Sequence, residues 1–196
     1  MKKKLPIILS FDTSGAYCAA ALCRGHTVLS CRVEYMKRGQ AERLIPLLQE
    51  ILDDAVLEWT HLDAIGVGVG PGNFTGIRIS VSTARGLALG LKIPAVGVST
   101  FEAVSLDIPS PHVPAVPAPR DHLYVLPQAS EAPLLVAANF VSDLPVHLPP
   151  SADTLVTNMA KVAALRHENI TKPPVPLYIK PADAAPSRDL APIILE

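Results

Sequence analysis

Two short segments hold residue types that could handle a charged ligand. Asp12-Thr13-Ser14-Gly15 places a carboxylate and two hydroxyls in one turn between strand-like runs. That set could contact a phosphate or the water shell of Mg²⁺, but the same side chains also make Asx and Ser/Thr turns that satisfy only their own backbone. Taken alone, the turn is the stronger reading. Gly70-Pro71-Gly72-Asn73-Phe74-Thr75-Gly76 lies between an apolar strand and a helix, where helix amides and the dipole favour an anion. The loop lacks the Gly-Lys-Ser/Thr of a Walker A motif and does not fit G-x-G-x-x-G. Its competing reading is a tight strand-to-helix connection. The cofactor-binding candidates are Asp12, Thr13, Ser14, Gly70, Gly72, Asn73, Thr75 and Gly76.

No constellation of catalytic residues accompanies them. His26, His61, His112, His122, His147 and His167 contain no pair at helical i, i+3 or i+4 spacing, and no Cys/His cluster suits a metal. Ser14, Ser80, Ser82 and Ser99 lack a G-x-S-x-G elbow, and His122 beside Asp121 reads as a strand-end residue. No catalytic residue and no metal ligand is assigned. Cys18, Cys23 and Cys31 are odd in number, closely spaced and without a CxxC, which fits buried thiols in a reducing compartment.

The elements that must position these residues follow from periodicity. Leu5 to Phe11, Ala16 to Leu22 and His26 to Glu34 read as strands, the last two joined by Cys23-Arg24-Gly25. Gln40 to Ala55 carries Leu44, Leu47, Leu48, Ile51 and Leu52 on one helical face. Thr60 with Asp63 signals a capped turn, and Ala64 to Val69 is an apolar strand buried on both faces. The glycine loop opens a helix from about Ile77 to Leu89, which Pro94 stops. Ala95 to Val98 is another buried strand, and Ser99 or Thr100 caps a third helix. The order β-β-β-α-β-α-β-α defines an α/β lobe with a mixed sheet. Later elements are Val113 to Ala118 as an edge strand, because of Pro114 and Pro117, then His122 to Gln128 and Leu134 to Ala138. Asn158 to His167 reads as a helix capped by Asn158, and Val175 to Lys180 as a last strand.

Composition sorts the halves. Of 20 Pro, four precede residue 100 and sixteen follow it, whereas all 11 Gly fall between Gly15 and Gly97. A backbone that closes around a small ligand therefore has its means in the first half. The balance of 17 Lys+Arg against 18 Asp+Glu gives no basic field for nucleic acid, and 5% aromatics give few stacking platforms. Met1-Lys2-Lys3-Lys4 before an apolar run resembles the start of a signal peptide, but Asp12 interrupts that run early. No stretch reaches the ~18 apolar residues of a membrane span. A cytoplasmic protein without membrane attachment is expected.

Three segments carry a likeness: Ile8-Leu9-Ser10-Phe11-Asp12-Thr13-Ser14, Gln40-Ala41-Glu42-Arg43-Leu44-Ile45-Pro46, and Gly70 through Ile79 with its Gly-Pro-Gly-Asn-Phe-Thr-Gly-Ile-Arg-Ile run. Together they resemble the TsaB (YeaZ) family. Ala84-Arg85-Gly86-Leu87-Ala88 and Pro94-Ala95-Val96-Gly97-Val98-Ser99-Thr100 add to the likeness, and Pro176-Leu177-Tyr178-Ile179-Lys180 matches its closing P-x-Y-x-R/K pattern. The likeness is dense through residues 7–105 and sparse beyond.

The resemblance implies the ASKHA fold, two lobes related to those of actin, Hsp70 and sugar kinases. The lobes would be residues 1–104 and a reduced, Pro-rich 105–196. It also implies a part in forming N6-threonylcarbamoyladenosine in tRNA, with the transfer performed by a TsaD-type paralog that TsaB-like proteins bind and support. A TsaE-type ATPase joins them, and tRNA is met through the complex. The paralog carries two metal-binding His where this chain has Thr100 and Val104, neither of them a transition-metal ligand, with Glu102 between them. Gln40 stands where many members have His. The expected protein is thus a non-catalytic binding platform, a pseudoenzyme that old family labels class as glycoprotease-like. ATP or ADP would bind, if anywhere, at or near the partner interface.

The platform is placed on the helices at 41–54 and 77–90, the second lined by Ser80, Ser82, Thr83, Ala84, Gly86, Ala88 and Gly90. Arg43, Leu47, Arg78, Ser82 and Arg85 are the partner-binding candidates, for TsaD or for a second copy in a homodimer; Ile77, Val81 and Ala84 would face inward. The alternative is an active ASKHA-type ATP-dependent phosphotransferase using Asp12 and the glycine loop. A peptidase reading has neither nucleophile nor metal site behind it.

Overall fold

The structure, a computed structural model, describes residues 5–128, 130 and 132–179. Met1-Lys2-Lys3-Lys4, Lys180 of the closing pattern and the tail from 181 to 196 lie outside the described residues. The first sheet comprises β1 (Ile7–Asp12), β2 (Tyr17–Arg24), β3 (Thr27–Tyr35), β4 (Ala64–Gly68) and β5 (Ala95–Val98), in the order β3-β2-β1-β4-β5. β1, β2 and β3 pair antiparallel; β4 and β5 run parallel to β1, each reached through a helical crossover. β1 and β4 are buried along their whole length, which is why they read as apolar runs and not as alternation.

Pleating sends alternate residues of β1 to opposite cores. Leu9 and Phe11 join Leu44, Leu48 and Ile51 of α1 (Gln40–Asp54) and Ile77, Val81 and Ala84 of α2 (Phe74–Leu91). On the other face Ile8 packs with Ala19, Ala21 and Val96 under Leu155, Val156, Met159 and Ala160, with α3 (Thr100–Ser105) at the margin. Those last four belong to the helix after residue 150, α4 (Ala152–Arg166). Ser10, buried in this apolar layer, donates its hydroxyl to the Val156 carbonyl at 2.7 Å, so its polar atom is satisfied.

The second sheet is small: β6 (Val113–Ala118), β7 (His122–Val125), β8 (Leu134–Ala137) and β9 (Val146–His147), in the order β8-β7-β6-β9. All strands of the first sheet precede residue 99 and all strands of the second follow residue 112. α4 crosses this division, since it comes from the second half and covers the first sheet.

Four expectations need correction. Val113–Ala118 is not an edge strand, because β9 flanks it opposite β7. Val113 donates to the Pro145 carbonyl at 2.9 Å, so the missing amide of Pro114 removes no needed bond. α4 starts a turn and a half before Asn158, with Ser151 at the cap position, because its buried stripe already begins at Ala152 and Leu155. Asn158 sits inside it and donates to the Ala103 carbonyl at 2.9 Å. Near residue 60 the turn is the 3-10 segment Trp59–His61, closed by Glu58 with His61 and not by Thr60 with Asp63. Residues 175–179 form no strand; the Leu177 amide makes a single backbone bond to Val69 at 2.8 Å. Among the described residues no helix is long and apolar enough to cross a membrane.

Candidate functional site

Asp12 ends β1, and the turn that follows is pressed against the glycine loop after β4. Gly68, Gly72 and Gly76 make that approach. A Cβ on Gly68 would overlap Oδ1 of Asp12, one on Gly72 would lie 2.8 Å from Cβ of Ser14, and one on Gly76 would overlap the Thr13 carbonyl. Polar bonds then stitch the two segments. Asn73 donates its amide to the Ser14 carbonyl at 2.8 Å, and the Thr13 hydroxyl donates to the Gly76 carbonyl at 2.7 Å. The Thr13 amide donates to the Ser80 hydroxyl at 2.9 Å. Asn73 also caps α2, its Oδ1 accepting from the Gly76 amide at 2.9 Å, so the helix begins at Phe74 and not at Ile77. The Gly70–Pro71 peptide is cis, and Gly70 has φ +96°, a left-handed backbone that suits glycine.

The structure therefore brings all eight cofactor-binding candidates of the sequence into one junction. It arranges them chiefly to hold each other. Asp12 is fully buried; its Oδ2 accepts from the Ser14 hydroxyl and the Tyr17 hydroxyl, each at 2.8 Å, and its Oδ1 has no hydrogen-bond partner among the described residues. Burial pushes this carboxyl above the ordinary carboxylate range, against the opposing pull of the bonds from Tyr17 and Ser14. Burial, and then the charge of Asp12, push the Tyr17 phenol up.

Two concavities open beside the junction. One, of about 460 Å³, lies between the two sheets and is lined by Tyr17, Pro71, Thr100, Val116, Pro119 and Tyr124 among others; no Lys or Arg is among its described lining residues. The other, of about 530 Å³, lies on the α1 side, where Ser14, Asn73, Thr75 and Gly76 face Lys37 and Arg38 across the start of α2. A nucleotide's phosphates need cationic or amide donors. The α1-side pocket has the cations, Lys37 and Arg38, so its residues fit an anion. The inter-sheet cleft does not fit the metal-bound polyphosphate that the phosphotransferase alternative requires: its described lining has neither cation nor carboxylate, and the buried Asp12 carboxyl is already shared with Tyr17 and Ser14.

The helix faces differ from one another. On α2, Ile77, Val81 and Ala84 are buried and Arg78, Ser82 and Arg85 exposed. Arg78 lies over the Phe74 ring, 3.9 Å from its centroid, and donates to the Tyr178 hydroxyl at 2.9 Å. On α1, Leu47 is fully buried, so it offers no surface to a partner: it shares the inward stripe of Leu44, Leu48 and Ile51. Arg43 is half-buried and forks to Glu34 at 2.6 Å and to Glu50 at 2.7 Å. Glu50 also meets Arg32 at 2.9 Å. Gln40 starts α1 and lines the α1-side pocket.

Sequence reasoning did not single out Tyr17, Lys37 or Arg38; it placed Tyr178 only within the closing pattern, and it counted Ser80 among the small residues lining the α2 platform, whereas Ser80 is fully buried and accepts from the Thr13 amide. Ser80 had a local signal, a polar residue on the inward stripe of α2. The others become visible only once distant segments meet.

The mixed five-stranded sheet, its helical crossovers and the second, smaller sheet define an α/β protein of the ASKHA type. A family model described as TsaD, tRNA N6-adenosine threonylcarbamoyltransferase, matches residues 32–133. The tRNA threonylcarbamoyladenosine biosynthesis protein TsaB of Escherichia coli K12 is 41% identical over 94 residues, 48% of this chain and 40% of that protein. An uncharacterized Mycobacterium tuberculosis protein is 30% identical over 202 residues, 93% of this chain and 96% of its own length. YeaZ from Pseudomonas aeruginosa superimposes with a TM-score of 0.69 at 24% identity, covering 89% of this chain and all of that one, and shares the fold. The chain belongs to the TsaB/YeaZ family, as the glycine-loop motifs indicated. Its match spans less than half the length of the TsaB proteins of Escherichia coli and Buchnera, 40% and 47%.

Proposed function

We propose that this chain is a TsaB-like accessory subunit that docks on a TsaD-type transferase and supports N6-threonylcarbamoyladenosine formation in tRNA, without performing the transfer. The observation that carries the docking is the outer face of α2. Gly86 and Gly90 are exposed one helical turn apart, and a Cβ at either would meet nothing within 4 Å. Glycine inside a helix costs about 1 kcal/mol against alanine, and among the described residues nothing packed on the helix accounts for two of them here. Ser82, one turn earlier, and Arg78 and Arg85 continue the same exposed face. A partner helix approaching closely gives the missing side chains a reason.

On this reading Arg43 orders the α1 edge of the platform through its two carboxylates and does not grip the partner. The α1-side pocket, with Lys37, Arg38, Ser14, Thr75 and Gly76, is the place for ATP or ADP beside that interface. Arg and Lys there would hold the phosphates while the start of α2 supplies its dipole. A TsaE-type ATPase and tRNA join through the complex, a second copy takes the same α2 face when the transferase is absent, and the assembly works in the cytoplasm. Residues 1–104 and 105–196 are the two lobes, the first completed by α4.

The test is reconstitution. A cognate TsaD-type protein, a TsaE-type protein, ATP, threonine and bicarbonate are mixed with the adenylate-forming enzyme and unmodified tRNA, with and without this chain. Modification that requires the chain supports the proposal. Modification by the chain alone, or by TsaD equally well without it, sinks it.

A further inference from the structure

The C-terminal half of α2 forms one wall of a groove that lies apart from the glycine-loop junction. Segment 170–174 forms the other wall, and Ile93, Pro94 and the first residue of β5 complete the lining, around a volume of about 540 Å³. The second wall is fixed before anything docks. Pro174 is buried against β5, its Cβ 3.2 Å from where a Cβ on Gly97 would stand. Arg166 donates to the Gly97 carbonyl at 2.9 Å, so β5 is not free at that point to pair with an added strand. What enters the groove is therefore gripped by side chains and not by backbone pairing.

The lining names the chemistry of the occupant. Leu89 is 82% exposed at the groove, an apolar side chain that gains by being covered. The described lining holds two cations, Arg85 on the α2 wall and Lys172 on the wall opposite, and no Asp or Glu. Both cations are exposed, and neither makes an ion pair among the described residues. We propose that this groove takes a partner helix whose single apolar stripe is flanked on both sides by Asp or Glu. The stripe covers Leu89 and enters beside Gly86, where no side chain stands in its way, and each acidic flank meets one cation. A second copy docking by this same face would set Arg85 and Lys172 against like charges, so it is the weaker occupant. The proposal rests on α2 as the docking face and adds what the docked segment must carry.

Peptide binding to the full chain tests the groove without any transferase. The probes are two fluorescent amphipathic peptides with the same leucine stripe, one carrying Glu on both flanks and its twin carrying Lys, read by anisotropy at low salt. The wild-type chain is expected to bind the Glu peptide saturably and at least tenfold tighter than the twin, with the gap narrowing as salt is added. Arg85→Glu combined with Lys172→Glu should reverse that preference, and Leu89→Ala should weaken the Glu peptide at least threefold. All three side chains are exposed, so these variants keep the fold. No saturable binding, equal binding of the twins, or a preference that survives the double reversal overturns the proposal. So does self-association in sedimentation that Leu89→Ala abolishes, because a second copy then fills the groove. Titration against a cognate TsaD-type protein separates this from the docking reading. Association that the double reversal leaves unchanged sinks the acidic helix alone; no association with the wild type sinks the docking reading and leaves the groove to be decided by the peptides.

Discussion

Replacing Gly86 and Gly90 with alanine should make the free chain more stable and the partnered chain weaker, two effects of opposite sign from one change. The stability side can be worked from the structure. Both positions lie within α2, neither has a positive φ, and among the described residues no heavy atom beyond the helix's own adjoining backbone and chain neighbours lies within 4 Å of either added Cβ. The methyls therefore meet no clash, and what changes is backbone entropy in the unfolded chain and solvation of the helix. Gly86 is well inside the helix, and its substitution should yield about 1 kcal/mol; Gly90, one residue from the end, should yield about half as much. The sum, about 1.5 kcal/mol, corresponds to a rise in Tm of roughly 3–6 °C for a chain of this size.

The binding side follows from geometry: two methyls on a face meant for close helix approach hold the partner off. A tenfold loss of affinity, ~1.4 kcal/mol, is the least expected. Calorimetric unfolding of the free protein and titration against a TsaD-type partner read the two effects separately. A fall in Tm would mean that the face already packs within the chain. A rise in Tm with unchanged affinity would refute α2 as the docking face.

Gly76→Ala should lower stability by ~3 kcal/mol or more, because the Cβ would overlap a backbone carbonyl that cannot turn away, that of Thr13; denaturant unfolding measures it. Met159→Ala, fully buried beneath the first sheet, should cost ~2–5 kcal/mol, and a fragment of residues 1–104 should show no cooperative unfolding because α4 is gone. Asp12 has its pKa raised by burial, so its contribution to stability is full below the unfolded value near 3.9 and is lost as pH rises through the folded value. Asp12→Asn should therefore gain on the wild type in urea unfolding as pH rises above about 4. A constant difference over that rise would show that the buried carboxyl does not titrate with folding.

The first eight elements were legible because each is bounded by a local signal: Gly25 in the hairpin, the stripe of Leu44 to Leu52, the glycine loop, Pro94 and the Ser99–Glu102 box. The second half lacks glycine turns, so its boundaries fall back on weaker signals. α4 shows the cost. Its inward stripe mixes Leu155 and Val156 with Ala152, Ala160 and Ala163, and the apolar contrast that would date its start is faint. For the site, both segments were visible as turns with polar residues, but their contact joins Thr13 to Gly76 and Ser80 across 63 and 67 positions. No local pattern announces that a glycine serves a neighbour so far away. Leu47 failed for a different reason. Its own periodicity put it in the core, and a surface role contradicted that evidence.

The lopsided composition then acquires a physical meaning. Glycines at 68, 72 and 76 let a loop lie directly on the turn after β1, and the prolines at 117, 119, 149 and 150 wall the cleft on the side of the second sheet. A phosphate cradle would leave the loop amides turned to solvent, whereas here those of Asn73, Gly76 and Ile77 already have acceptors within the chain. Rigidity is what such a junction supplies. It fixes the first turn of α2 from inside, through Thr13 and Ser80, while Arg78 with Phe74 and Tyr178 fixes it from outside. A helix held at its start by two sets of contacts, and left open along Gly86 and Gly90, presents a pre-formed edge, and preorganisation of that kind lowers the ordering cost of association. Loosening the inner clamp with Ser80→Ala should therefore weaken partner binding through α2 without touching the interface. If that variant binds as well as the wild type while its stability falls, the junction serves folding alone.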